Sequence, residues 1–328
     1  MVEPDEGAPP GRVDTAFLRD DSRSVISTNR SPDIPYDASL NPYRGCEHGC
    51  AYCYARTYHE YLDMSAGLDF ETRILVKEDA PELLRRELGE RTYRPRPLNL
   101  SGVTDAYQPA ERRLRLTRRC LEVLAEHLHP VTVVTKNALV TRDLDLLARL
   151  ARHDAAQVWF SIVTLDAALA ARLEPRTSQP RARLEAMRRL TDGGVPCGVI
   201  LAPVVPGLTD HEIPAIVAAA AEAGAAFARW SPLRLPGAVA ELFTAWLEEH
   251  EPLKRDRVLN RLRQVRGGSL GESRFHVRMR GEGVYARQLD VLFATACRRH
   301  GLATDAPSVS AASFCRPGGE QLSLFGAD

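Results

Sequence analysis

The sequence predicts an α/β protein built as a partial (β/α)6 barrel of TIM type, with a helical C-terminal extension and flexible termini. Two observations carry this reading. Short apolar or β-branched runs alternate with amphipathic stretches along most of the chain. The runs are apolar at consecutive positions, as expected of strands covered on both faces, and therefore of a parallel sheet wrapped by right-handed crossovers. Residues 1–36 are polar, rich in Pro, Gly, Ser and Asp and without periodicity, and read as a flexible arm too poor in apolar surface to offset its ordering entropy. Over residues 37–250 the barrel units are ETRILVKE with APELLRRELGER, PLNLSGVTD with ERRLRLTRRCLEVLAEHL, and PVTVVTKN with TRDLDLLARLARH. AQVWFSIVT follows with LDAALAARL and PRARLEAMRRLTDGG, then VPCGVILAPVV with DHEIPAIVAAAAEAG, and AFARWSPLRL with AVAELFTAWLEEH. Thr141 and Asp210 are expected N-caps, and Gly193-Gly194 an expected helix stop. Residues 251–302 read as a basic extension holding a helix, a strand-like FHVRMR and a second helix over 285–300, and residues 303–328 as a loop-like tail. In parallel barrels chemistry gathers at the C-terminal strand ends, so the site is expected there.

The composition bounds the function. With 328 residues, 44% apolar and 26% charged, the chain is an ordinary globular protein. No apolar run approaches the roughly 20 residues of a membrane span, and the acidic, proline-bearing N-terminus carries no export signal, so a cytoplasmic location is expected. The 43 basic and 43 acidic residues give no global pull toward nucleic acid, but arginines crowd residues 254–287. That block reads either as a polyanion-binding surface or as a solvated helix face. An odd count of seven cysteines argues for thiolate ligands or buried thiols over a disulfide framework.

Cys46, Cys50 and Cys53 in NPYRGCEHGCAYCYAR form a CxxxCxxC in a glycine-flanked loop. Three thiolates can hold three corners of a cubane iron-sulfur cluster and leave the fourth iron open to a ligand. Gly45 and Gly49 suit a backbone that wraps a bulky group closely. A zinc site completed by His48 or His59 is the alternative.

This motif, with Tyr52 before the last cysteine and about six β/α units, resembles the radical SAM superfamily, and within it the spore photoproduct lyase-like branch of DNA repair photolyase-like proteins. The likeness extends through TDAYQPAE, TKN, LEPRT and PVVPGLTD. It implies a [4Fe-4S] cluster that binds S-adenosylmethionine and reduces it to a 5′-deoxyadenosyl radical, with an external electron donor.

Such a cofactor carries an ammonium, a carboxylate, a ribose diol and an adenine, and its pocket needs matching groups. Thr104 and Asp105 close the second strand and can bond the ammonium or ribose, or simply cap the next helix. Lys136, one of three lysines, closes the third strand and can meet the carboxylate; Ser161 lies in the fourth. Lys136 and Ser161 match cofactor-contacting positions in the resembled family. Glu174 and Arg183 form either a pocket-shaping ion pair or a surface pair. Tyr52 and the APVVPG backbone would lie near the adenine. The resembled lyase returns hydrogen through a further cysteine on its second strand; NLSGVTD has none, so Cys197 and Cys315 are the substitute candidates. Cys120 and Cys297 read as core thiols.

Gln321, Leu322, Ser323, Leu324 and Phe325 near the C-terminus look like the pentapeptide that docks bacterial repair proteins on the sliding clamp; a staple on the chain's own domain is the other reading. Together these features predict a radical SAM enzyme repairing or modifying nucleic acid. A radical SAM enzyme on a peptide or small metabolite, or a non-enzymatic metal module tethered to the clamp, are the alternatives.

Overall fold

The computed structural model describes residues 14–34, 36–100 and 102–316. The chain opens with β1 (Ala16–Arg19) and β2 (Ile26–Thr28), then β3 (Ala38–Leu40) and β4 (Tyr43–Arg44). Short helices α1 (Thr57–Glu60) and α2 (Leu68–Thr72) lead to β5 (Arg73–Val76) and α3 (Ala80–Gly89). Next come β6 (Leu98–Leu100), α4 (Glu111–Leu114) with α5 (Leu116–Glu126), β7 (Val131–Thr135), α6 (Leu144–Ala151) and β8 (Ala156–Ser161). Helices α7 (Ala167–Leu173) and α8 (Pro180–Asp192), β9 (Cys197–Val204), α9 (Ile213–Glu222), β10 (Phe227–Pro232) and α10 (Val239–His250) complete the barrel portion, and α11 (Arg255–Val265) and α12 (Gly283–His300) form the extension.

The main sheet has the order β10-β9-β8-β7-β6-β3-β2. From β3 to β10 every pairing is parallel and follows chain order, which is an open, partial barrel. Along these strands alternate side chains pack under the helices, as Val158, Phe160, Val199, Leu201 and Ala228 do in the large core. The others line the inner face, where Gln157 bonds Thr132 and the Trp159 ring lies 4.5 Å from Phe227. Gly198 sits between those two rings; a Cβ there would lie 2.0 Å from the Phe227 ring, so only glycine fits.

The structure corrects several expectations. The arm over residues 1–36 is not wholly flexible: β1 pairs in parallel with β5 and β2 antiparallel with β3. Its anchors are distant in sequence, with the Glu87 carboxylate accepting from Val25 N at 2.7 Å and Arg113 stacked on Phe17 at 4.7 Å. ETRILVKE does not join the barrel; as β5 it is the middle strand of a small separate sheet, β1-β5-β4. Thr141 and Asp210 are not caps. The turn after β7 starts earlier, capped by Asn137 accepting from Leu139 N at 3.0 Å, and Asp210 instead accepts from Gly207 N at 2.9 Å. FHVRMR is a turn rather than a strand. Gly193 does close α8, followed by Gly194 at φ +81°. Cys120 and Cys297 are core residues.

The tail over 303–316 runs along the N-terminal strand ends. Ala228 N donates to Ala303 O, Ser310 N to Asp154 O and Cys315 N to His127 O, at 2.7–2.9 Å. Among the described residues no helix is long and apolar enough to cross a membrane.

Candidate cofactor site at the C-terminal strand ends

The cysteine loop leaves the C-terminal end of β3. Asn41 begins it, its Oδ1 accepting from Gly102 N at 2.8 Å and so lacing the loop after β6 to this one. Cys46 and Cys50 are buried and Cys53 half-buried, and desolvation pushes all three thiols above the ordinary cysteine range. Gly45 and Gly49 take φ of +82° and +66°; a Cβ would strike His59 and Phe70 O at 2.9 Å in the first case, and Arg176 and Glu71 at 2.5 Å in the second.

A charged girdle that the sequence reading missed holds the loop. Buried Arg56 donates to Cys50 O at 3.1 Å and to Gly67 O at 2.9 Å, and pairs with Glu71. Glu71 also takes Arg176 at 2.5 Å, and Arg176 donates in turn to Glu47 O. Fully buried Gln108 accepts from Glu47 N at 2.8 Å and donates to Gly45 O at 3.3 Å. In sequence most of these residues look like ordinary surface groups; Arg56 and Glu47 stand beside the cysteines and Gln108 and Arg176 lie in TDAYQPAE and LEPRT, which was the signal that could have found them.

The expected cofactor residues converge beside this loop. Lys136 Nζ donates to Ser161 Oγ at 2.8 Å, lies 3.9 Å from Glu174 Oε1 and sits 5.9 Å over the Tyr52 ring. Tyr52 OH donates to Glu174, whose other oxygen takes Arg183 Nη2 at 2.5 Å. This pair is buried, so the surface alternative is excluded. Burial alone would raise the Glu174 pKa; Arg183 and Lys136 outweigh it and hold the group below the usual carboxylate range. Arg183 also donates to Ser178 O and Ser161 O, both at 2.7 Å, and to Thr177 Oγ1 at 2.5 Å, leaving it a positioning residue. Asp105 is similar: its oxygens accept from Tyr107 N and Thr135 Oγ1 at 2.8 Å and from Lys136 N at 2.7 Å. It therefore fixes the end of β7, with Oδ1 taking two donors and Oδ2 one. Thr104 is different, for its Oγ1 is buried with no hydrogen-bond partner. Ser161 Oγ donates to Ala202 O at 3.0 Å, tying the APVVPG segment to the same network.

The remaining candidates lie elsewhere. Cys197 starts β9, fully buried, and about 20 Å of strand at 3.3 Å per residue separates it from the site. Cys315 is exposed at the N-terminal strand ends beside His127. Both hydrogen-donor expectations are thereby corrected: these thiols sit at the wrong end of the barrel. Gln321, Leu322, Leu324 and Phe325 fall outside the described residues.

The donor set fits a cubane. His48 is buried with its Nε2 3.3 Å from Asn137 and its Nδ1, which has no hydrogen-bond partner, 3.5 Å from Asp105, while His59 Nε2 lies 3.1 Å from Arg73 O and is engaged by the protein rather than by the cysteines. Among the described residues no three His, Cys, Asp or Glu side chains converge on a single ion's position. A cubane asks less, taking one thiolate per iron. Gly45 and Gly49 let the cysteine loop pack closely on its own supports, and the orphaned Thr104 hydroxyl provides an unmet polar partner for the cluster's organic ligand.

A protein-family model described as the radical SAM superfamily matches residues 40–220. An uncharacterized protein of Mycobacterium tuberculosis is 36% identical over 221 residues, which is 67% of this chain and 65% of that protein, so the chain spans just under two thirds of its curated relative. An uncharacterized protein of Methanocaldococcus jannaschii is 27% identical over 192 residues, 58% of this chain and 68% of that protein. Among solved structures, spore photoproduct lyase complexed with dinucleoside spore photoproduct superposes with a TM-score of 0.62 at 17% identity, covering 88% of this chain and 81% of that one. A mutant of that lyase with bound AdoMet and dinucleoside spore photoproduct gives 0.61, also at 17% identity, covering 88% and 80%. At this identity the likeness shows a shared fold.

Proposed function

This chain belongs to the radical SAM superfamily, and on that premise we propose that it binds a [4Fe-4S] cluster and S-adenosylmethionine to repair or modify nucleic acid. The observation that carries the reading is the convergence of Tyr52, Lys136, Ser161, Glu174 and Arg183 on one network beside the Cys46, Cys50 and Cys53 loop. When bound, the cluster and its ligand supply one-electron cleavage of the sulfonium, giving a 5′-deoxyadenosyl radical that abstracts hydrogen from substrate.

The chain's own part is to hold and orient. The three cysteines would take three irons, with the Arg56, Glu71 and Arg176 girdle fixing the loop between them. Lys136, held by Ser161 and Glu174, keeps an ammonium partly open to solvent and would meet the carboxylate of S-adenosylmethionine. Thr104 would satisfy its buried hydroxyl on the ammonium or ribose.

Two findings support a nucleic-acid substrate: the fold likeness to a lyase solved with a dinucleoside lesion, and arginines along β10 and the rim of the barrel that have no ion pair among the described residues. Much of the basic stretch 254–287 is otherwise engaged. Lys254, Arg255, Arg274 and Arg278 are ion-paired, and Arg266 is buried on the carbonyls of Pro232 and Leu233. An external donor supplies the electron. The QLSLF peptide would dock on the sliding clamp, and since Arg316, the last described residue, lies at the N-terminal strand ends, docking would leave the site uncovered.

The test is anaerobic incubation of reconstituted protein with reductant, S-adenosylmethionine and candidate DNA. The proposal expects DNA-dependent 5′-deoxyadenosine and isotope exchange with a nucleotide. Exchange into a peptide or small metabolite, with DNA inert, would overturn the nucleic-acid assignment.

A further inference from the structure

Arg229, Arg234 and Arg261 share a property absent elsewhere along β10 and α11. Among the described residues none has an ion pair, and each guanidinium lies over an aromatic ring: Arg229 at 5.4 Å from Trp159, Arg234 at 4.6 Å from Tyr54 and Arg261 at 4.4 Å from Tyr285. Arg229 is in register with Ile200, itself in register with Ser161, and faces the inner side of the sheet, since its neighbour Trp230 faces outward onto Phe293 of α12. Arg234 follows the C-terminal end of β10, beside the tyrosine after Cys53. Arg261 is exposed on α11 against the loop that leaves β9: a Cβ on Gly207 would lie 3.5 Å from Arg261 Cγ and 3.4 Å from Arg257 Cγ. The three guanidiniums therefore mark one wall of the barrel, from the inner face to the rim.

A ring fixes a guanidinium without cancelling its charge or occupying its N–H fork, whereas a carboxylate does both. Half-buried cations without counter-ions carry a desolvation cost, which an arriving anion relieves. Arg229 and Arg234 are in that state, the first within the wall of the proposed cofactor site and the second at its mouth. Tyr54 under Arg234 and the exposed Tyr58 and Tyr61 that follow it add flat apolar surface on the same segment, suited to stacking a base.

We propose that Arg229, Arg234 and Arg261 form a phosphate track that leads a nucleic-acid strand from the rim to the cofactor. This rests on the nucleic-acid reading above and goes further by naming the wall that binds the backbone. Arg229, the innermost, would contact the phosphate nearest the reacting nucleotide.

The test uses cluster-loaded protein and the anisotropy of a short fluorescent single-stranded oligonucleotide, titrated across a range of potassium chloride. Wild type, Arg229→Gln, Arg234→Gln, Arg261→Gln, the triple Gln variant and the three Arg→Lys variants are compared, with Arg188→Gln on the outer surface as control. Each Gln variant is expected to weaken binding severalfold, alike for different sequences, and to lower the salt slope by about 0.7, the value for one phosphate contact on a single strand. Each Lys variant, which keeps the charge, should keep the slope, and the control should match wild type. A triple variant that is folded, retains cluster absorbance and binds with wild-type affinity and slope would overturn the track while leaving the nucleic-acid reading standing. A wild type that binds no oligonucleotide even at low salt, or an acidic peptide that binds in its place, would bring down both.

Discussion

The Glu174 carboxylate and the Arg183 guanidinium meet at 2.5 Å with both side chains 1% exposed. Through this pair the short segment between α7 and α8 is fastened to the C-terminal end of β8, because Arg183 also donates to Ser161 O. Removing Arg183 leaves buried Glu174 with Tyr52 and the more distant Lys136 alone and unpairs the carbonyls of Ser161 and Ser178, so Arg183→Met should cost about 3–5 kcal/mol in urea unfolding. Arg183→Met combined with Glu174→Gln should recover part of that loss. A loss below about 1 kcal/mol for Arg183→Met would show that the pair does not organise the site.

Lys136→Met removes the ammonium that Ser161 and Glu174 hold in place. A hydrogen bond to a charged group contributes about 1.5–3 kcal/mol, so the Kd for S-adenosylmethionine should rise roughly 10- to 100-fold in calorimetric titration while cluster absorbance is unchanged. Unchanged affinity would remove Lys136 from the cofactor contacts.

Thr104 separates a ligand contact from a structural one, since its hydroxyl has no protein partner. Thr104→Val should leave the free protein as stable as wild type, or slightly more so, and weaken S-adenosylmethionine roughly two- to tenfold. A clear loss of stability with affinity intact would mean that the hydroxyl serves the fold.

His129 makes stability pH-dependent. Burial under Phe314, with Tyr93 OH 2.7 Å from Nε2, lowers its pKa from 6.5 to about 4. The unfolded chain therefore binds a proton below pH 6.5 that the folded chain refuses until about pH 4, and stability is lost as pH falls through that window. The contribution reaches up to about 3 kcal/mol at the acid end. In His129→Gln the decline of the urea midpoint between those pH values should be smaller by a corresponding amount; an unaltered decline would assign it to other groups.

The strands from β6 to β10 were legible as apolar runs between amphipathic helices. ETRILVKE read as a barrel strand because its apolar run looks the same, and the three-residue β3 that takes its place was too short to register. β1 and β2 were not legible, since they are short, half-exposed and held by Glu87 and Arg113 from far along the chain. The positions of Thr104, Lys136 and Ser161 followed from their places at strand ends. That Asp105 and Arg183 brace the backbone of the site is decided by which polar atoms meet them in space, which spacing does not encode. The same holds for Arg56, Glu71 and Arg176, whose charges read as surface until the fold closes them around the cysteines. Arg229 left a trace, as a lone charge inside the apolar run AFARW. Cys197 and Cys315 were misjudged because a thiol's chemistry is visible in sequence and its end of the barrel is not.

The proposed chemistry requires three thiolates sharing one cubane at the end of β3. Iron analysis of protein purified and reconstituted without oxygen tests this directly. Wild type should carry about four irons per chain with the absorbance of a cubane. Cys46→Ala, Cys50→Ala and Cys53→Ala should each lose the cluster and form no 5′-deoxyadenosine. Colourless, iron-free wild type, or a Cys50→Ala variant that still cleaves S-adenosylmethionine, would contradict the assignment.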